Sequence, residues 1–235
     1  MRVRRVVTTR AGGASRAPFD SFNLSSGVGD DPAAVSANRR RLARGIGLPV
    51  ESVQWMRQIH GTEVKLVRLP GTDEHDGVDV MVTDRPGLAL SVLTADCVPV
   101  LLADPDAGVI GVAHAGRVGA AAGVLGAALT AMSGLGARPE RIEALLGPAV
   151  CGACYEVPPA MRAEVDAALP GSASRTRAGT PGLDLRAGLR TQLTALGVTR
   201  VDTDPRCTIE DAALYSHRRD RRTGRLAAVT WLDPG

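Results

Sequence analysis

The chain has 235 residues, of which 28 are basic and 25 acidic, for a net charge of +3. At roughly 150 residues per domain, with single domains often reaching about 250, this length allows one large domain, or at most two, with room for a full core, and motifs spread along the chain favour a single domain over residues 1–235. The near balance of charge excludes the single-sign field of a dedicated nucleic-acid binder, and two each of Trp, Tyr and Phe leave few platforms for stacking bases.

Residues 1–9 alternate enough to begin a strand, closed by the loop Arg10-Ala11-Gly12-Gly13. The start is basic but carries no apolar run of seven or more, so no secretory signal is read and the cytoplasm is expected. Asp31 followed by Pro32 predicts a helix start, with Val35, Leu42 and Ile46 on one side and Gly47 at its end. From Gln54 to His60 the chain reads as a strand with Gln54, Met56, Gln58 and His60 on one face. His75, in the acidic stretch TDEHDGVD, is expected at the surface.

Apolar runs at 88–94, 98–102 and 109–113 predict three further strands. Val118–Ala137 is twenty uncharged residues, the length of a bilayer span. Five of them are Gly and seven Ala, which gain little from lipid, so the expectation is a buried helix against a sheet, not a membrane segment. Val118, Leu125, Leu129 and Met132 would share its apolar side. A buried strand at 142–150, helices at 159–168 and 184–196, an exposed loop at 170–182 and a last strand at 225–232 complete a mixed α/β (α+β) chain.

The hairpin carries the first chemical inference. With a four-residue turn at 104–107, Ala103 faces Gly108 and Cys97 faces His114 on one side of the ribbon, their Cβ atoms about 4.5–5.5 Å apart. A one-residue slip would separate them, and Pro99, which cannot donate to a ladder, suggests an edge or irregular start. Thiol beside imidazole supports a cysteine nucleophile or a transition-metal site, against a buried thiol beside a structural histidine. Asp96 before the cysteine and Gly116 after the histidine place the pair at a strand-to-helix junction.

Cys151-Gly-Ala-Cys154 has redox or metal spacing, and Cys207 could join it. With no second CxxC to complete four ligands, free thiols or a reversible disulfide are expected. Arg218, Arg219, Arg221, Arg222 and Arg225 read as a solvated turn in a hairpin before the last strand, with phosphate recognition the alternative. No P-loop or dinucleotide-binding glycine pattern is present.

With Gln58-Ile59-His60-Gly61-Thr62, Thr94-Ala95-Asp96-Cys97-Val98-Pro99 and Ala113-His114-Ala115-Gly116 in view, the chain resembles the bacterial YfiH-like family. Thr9 to Gly13, Phe22 to Leu24, Gly147-Pro148-Ala149, Tyr155-Glu156-Val157, Cys207-Thr208 and Ser216 to Asp220 extend the likeness almost end to end. That family has been called multicopper polyphenol oxidase or laccase domain and peptidoglycan editing factor, and is described as a purine nucleoside phosphorylase. The resemblance implies a layered sandwich of mixed sheets flanked by helices, related to cytotoxic-necrotizing-factor-like hydrolases. It also implies zinc on His60, Cys97 and His114, the same residues being catalytic, with copper the alternative metal. Phosphorolysis of adenosine, inosine, guanosine and methylthioadenosine would be joined by adenosine deamination, which a zinc-activated water suits. Purine nucleosides and phosphate would be the partners, and Arg10, Asn23 and Gln58 are the candidate substrate contacts. A metal-free Cys97/His114 hydrolase, a cell-wall editing role and a copper phenol oxidase are the competing functions. The family commonly continues its histidine motif as His-Ala-Gly-Trp-Arg-Gly, whereas this chain has His114-Ala115-Gly116-Arg117-Val118-Gly119, so an aromatic surface is lost and an arginine sits one place early.

Overall fold

The computed structural model describes residues 1–233. Its first half contains β1 (Val3–Val7), α1 (Pro32–Ile46), β2 (Val53–Gln54), β3 (Met56–Arg57), β4 (Val64–Leu66), β5 (His75–Asp76), β6 (Val80–Thr83), β7 (Ala89–Thr94), β8 (Val98–Asp104) and β9 (Val109–Ala115). Then come α2 (Arg117–Ala121), α3 (Val124–Ser133), β10 (Glu143–Leu146), α4 (Pro159–Ala168), β11 (Ala173–Arg175), β12 (Pro181–Leu183), α5 (Leu185–Ala195), β13 (Arg200–Thr203), α6 (His217–Asp220) and β14 (Leu226–Leu232).

These elements form a mixed α+β fold in four layers. A four-stranded sheet has the order β1-β14-β7-β2, and a six-stranded sheet the order β13-β10-β8-β9-β6-β4. Leu90, Val92 and Ala228 of the first meet Met81, Leu101, Ile110 and Val112 of the second, which places one core between the sheets. The alternate residues of the larger sheet, Val98, Val100 and Leu102 among them, pack against Leu125, Ala128 and Met132 of α3 and Leu189 and Leu193 of α5. On the outer face of the smaller sheet, Ala89, Leu93 and Val229 meet Leu42 and Ala43 of α1. The central strands β7, β8 and β9 thus alternate between two buried surfaces, which is why they read as continuous apolar runs.

Helix α1 follows its capping signals: Asp31 accepts a hydrogen bond from the Ala33 N–H, and Gly47 closes the helix at φ 74°. The glycine-rich stretch departs from the single helix expected. It breaks at Gly123, whose φ of 89° only glycine adopts without strain, so Val118 on α2 is turned outward while Leu125, Leu129 and Met132 on α3 stay buried. Among the described residues no helix is long and apolar enough to cross a membrane.

Five further expectations are corrected. The strand read from Gln54 to His60 is divided: β2 joins β7, β3 joins β5, and residues 58–60 are loop. The buried strand read at 142–150 is confined to β10, because Gly147-Pro148 ends it. The exposed loop at 170–182 contains a small antiparallel pair, β11 with β12. The arginine cluster begins on the short helix α6 rather than in a hairpin turn, and His75 is half-buried in β5.

Candidate metal centre

The β8–β9 hairpin forms, in a register different from the expected one. Asp104 belongs to β8 and pairs with Val109, its carboxylate accepting the N–H groups of Asp106 and Ala107, so the turn occupies residues 105–108. Pro99 rather than Cys97 therefore lies opposite His114. The partner shifts by two positions, which preserves the face: Cys97 and His114 remain diagonal neighbours on the side toward the other sheet. Pro99 sits in an interior strand, at its start. The pairing tolerates it because His114 N donates to Asp79 O and Pro99 O accepts from Gly147 N, each pointing away from the other.

His60 completes the constellation from the loop after β3. One ligand atom each from His60, Cys97 and His114 lies within 4.8 Å of the others, and Cys97 Sγ is 3.9 Å from His60 Nε2. The His60 and His114 rings meet edge to face at 4.7 Å. Around a tetrahedral zinc, bonds of about 2.0–2.3 Å separate ligand atoms by about 3.3–3.8 Å, so small side-chain movements suffice to close this donor set on a cation. One thiolate and two imidazoles with the fourth side toward a cavity are the donor chemistry of a catalytic zinc site.

The group that organises the site is Asp79, which sequence patterning missed. It is fully buried, immediately before β6. Its carboxylate accepts the backbone N–H groups of Ile59, His60 and Gly61 at 3.1, 3.0 and 2.7 Å, and these bonds hold His60 at φ 64°. The same carboxylate lies 2.7 Å from His114 Nδ1. Burial alone would raise the Asp79 pKa, but the His114 and backbone hydrogen bonds outweigh it and keep the group ionised below the usual carboxylate range. With Nδ1 protonated toward Asp79, His114 presents Nε2 as the ligand atom. Its only sequence signal is an acid within the apolar run Val78-Asp79-Val80-Met81-Val82.

Cys97 and His114 shift one another's titration. Burial opposes the charged form of both Cys97 and His114. Hydrogen bonds from His114 and His60 nevertheless bring the thiol down to about 6, and Asp79 with Cys97 brings the imidazole up to about 9. The result is a thiolate–imidazolium pair at neutral pH. Two glycines make the crowding possible. A Cβ at Gly116 would stand 2.7 Å from His60 Cδ2 and 3.1 Å from Cys97 Sγ, and one at Gly119 would stand 2.8 Å from Gly61 O.

Two cavities meet at Cys97. The larger, about 480 Å³, is lined by His60, Cys97, His114, Gln58 and Arg225, with apolar walls from Val28, Met56 and Leu93. The smaller, about 170 Å³, is bounded by Arg117, Tyr155, Arg218 and Asp96, and shares Ala95, Cys97 and His217 with the larger. Gln58 lines the larger cavity with its amide engaged at both ends by the Leu93 backbone. Arg10 and Asn23 stand behind it. Arg10 pairs with Asp20 and Asp220 over the Tyr215 ring, while Asn23 binds Ser25 O, Asp30 and Arg225 N and so holds two segments of the cavity wall.

Residues 4–233 of the chain match the family described as multi-copper polyphenol oxidoreductase laccase. The chain belongs to this family, the YfiH-like one. Its relatives include a purine nucleoside phosphorylase of Mycobacterium tuberculosis (strain ATCC 25618 / H37Rv), 59% identical over 233 residues covering 99% of this chain and 93% of the relative. Another from Streptomyces griseus is 58% identical over 228 residues, covering 96% and 93%. Among solved structures it is similar to YlmD from Geobacillus stearothermophilus (34% identity, TM-score 0.92, covering 98% of this chain and 92% of that one). It is also similar to a Bacillus licheniformis YfiH protein (28% identity, TM-score 0.90, covering 98% and 93%).

Within the family, the departure at Arg117-Val118 acquires a structural meaning. Arg117 opens α2 beside the smaller cavity, and Val118 faces outward. The arginine cluster is likewise divided by task. Arg219 donates to the carbonyls of Thr208, Ile209, Asp211 and Leu214, Arg222 lies over Phe19, and Arg218 stands 5.1 Å over the Tyr155 ring at the cavity.

Proposed function

We propose that the protein is a zinc-dependent purine nucleoside phosphorylase with adenosine deaminase activity, and that residues 1–235 act as one domain. The observation that carries this reading is the His60, Cys97 and His114 triad, backed by Asp79, where two cavities meet at Cys97, in a chain whose end-to-end relatives are named purine nucleoside phosphorylase. The donor set favours zinc over a copper cluster, since the sequence contains only four histidines and multicopper sites consume more. When bound, the metal would supply a Lewis acid at the floor of the larger cavity.

The protein's own residues supply the rest. Val28, Met56 and Leu93 offer apolar walls for a purine, an answer to the missing family tryptophan that uses aliphatic side chains. Arg117 and Arg218 offer two cations for phosphate in the smaller cavity, next to the shared boundary. Phosphorolysis forms a bond from phosphate oxygen to ribose C1′ and breaks the C1′–N9 bond, and adjacent sites for the two reactants would position that displacement. Gln58 fixes the wall through Leu93, while Arg10 and Asn23 act from behind it. Deamination would instead replace the adenine amino group with oxygen from water and release ammonia.

A second reading is favoured by one observation: Cys97, His114 and Asp79 form a chain of thiol, imidazole and carboxylate suited to a metal-free hydrolase. Incubation of purified protein with adenosine and phosphate should yield adenine and ribose 1-phosphate, with inosine as the deamination product. Absence of product above a Cys97→Ala control overturns the phosphorylase reading. Stoichiometric zinc that blocks alkylation of Cys97 overturns the hydrolase one.

A further inference from the structure

A second cluster of soft ligands lies outside the site just described. Cys151, Cys154, Cys207 and Glu210 bring one donor atom each to within 4.8 Å of the others. Two segments far apart in sequence supply them, and both are tight turns of the same spacing. In Cys151-Gly-Ala-Cys154, the N–H groups of Cys154 and Tyr155 both donate to Cys151 O at 2.9 Å. In Cys207-Thr-Ile-Glu210, the N–H groups of Glu210 and Asp211 donate to Cys207 O at 3.1 and 2.8 Å. A parallel bridge between Ala149 and Cys207 sets the two turns side by side. The missing second CxxC is therefore a CxxE.

A bound cation would take the place of the Arg177 guanidinium that neutralises Glu210. Cys151 N donates to Cys207 Sγ at 3.4 Å, a backbone hydrogen bond to sulfur of the kind that supports a thiolate ligand. Cys154 Sγ lies 3.3 Å from Glu210 Oε1, and Arg177 contacts both Glu210 and Cys154 from the outside. A tetrahedral zinc holds sulfur at about 2.3 Å and so separates two sulfurs by about 3.8 Å, within reach of the observed spacing. All four cysteines of the chain are free thiols.

We propose that Cys151, Cys154, Cys207 and Glu210 form a second metal site, structural in role, for a thiophilic divalent cation of which zinc is the best fit. Four protein ligands leave no position for substrate, the arrangement of a structural rather than a catalytic zinc. Its position explains what it would stabilise. Val150 N donates to Asp96 O at 3.0 Å, and Thr208 Oγ1 donates to Asp96 Oδ1 at 2.6 Å. The two turns thus converge on the residue preceding Cys97, and the first leads directly into Tyr155 on the wall of the smaller cavity.

The experiment uses a Cys97→Ala chain, so that the outcome does not depend on the catalytic site or on any activity. Cobalt(II) titrated into this chain should bind at one equivalent with a thiolate-to-cobalt charge-transfer band and tetrahedral d–d absorption. Glu210→Gln, on an exposed residue, should weaken binding at least tenfold while leaving the fold intact, and Cys154→Ser should diminish the charge-transfer band. Absence of the band in the Cys97→Ala chain, or an unchanged spectrum and affinity in both variants, overturns the proposal.

Discussion

Asp79 Oδ1 lies 2.7 Å from His114 Nδ1 and also receives the N–H of His60, so one buried carboxylate sets the orientation of two metal-ligand candidates from opposite directions. Replacing it with Asn keeps the shape and removes the charge. Asp79→Asn is expected to weaken zinc binding by roughly 10–100-fold, as loss of a carboxylate behind a ligating histidine does. Competition with a chromogenic chelator measures this, and an unchanged affinity would remove Asp79 from the role.

Gly116 tests crowding without backbone strain, because its φ of −71° is open to any residue. Gly116→Ala places a methyl group 2.7 Å from the His60 ring and 3.1 Å from the Cys97 sulfur. Circular dichroism should show the native fold, with metal content and turnover both lost. Retention of a full metal equivalent would mean that the three ligands are not held as described.

The metal-free protein should reveal its thiolate. Alkylation of Cys97 by iodoacetamide after chelation is expected to rise with a midpoint near pH 6, the value about which this thiol titrates, against about 9 for an ordinary thiol. A midpoint at 8 or above would show that the histidines do not stabilise the anion.

The same pair has a stability signature with two edges. The thiol is lowered on folding, so its contribution is full above pH 9 and lost as pH falls through about 6. The imidazole is raised, so its contribution is full below pH 6.5 and lost as pH rises through about 9. Urea unfolding of the metal-free chain against Cys97→Ala should therefore show its largest difference between those limits, and a flat difference across pH would contradict the pairing.

The phosphate assignment is separable from the metal. Arg117→Ala and Arg218→Ala should each raise the KM for phosphate about tenfold or more, the effect expected of a lost charge-assisted hydrogen bond, with zinc content unchanged. If both variants keep the wild-type KM for phosphate, the smaller cavity is not its site.

How far the sequence carried depended on the kind of signal each element left. Helix α1 was legible because Asp31, Pro32 and Gly47 mark its ends chemically. Strands β7 to β9 were legible because burial on both faces leaves unbroken apolar runs. The hairpin register was not, since whether Asp104 ends a strand or begins a turn depends on two hydrogen bonds to its carboxylate, which composition does not reveal. Strands of two to four residues such as β2 to β6 are too short to display a period. Cys97 and His114 could be brought together because a two-position shift preserves the face, whereas Asp79 lay hidden in a strand-like run where an acid ordinarily marks the wet side. Glu210 escaped because attention to CxxC spacing looks for sulfur, and the second turn ends in oxygen.

Strand β14 lies between β1 and β7, and β7 leads directly to Cys97. Every partner of β7 except β2 thus emerges from the ribosome long after the cysteine does. During synthesis β7 waits for β14, and β1, near the start of the chain, joins the sheet only through that late arrival. The sheet whose central strand leads into Cys97 is therefore closed last by residues 226–232, so the position of that ligand is fixed only when the whole chain has been made.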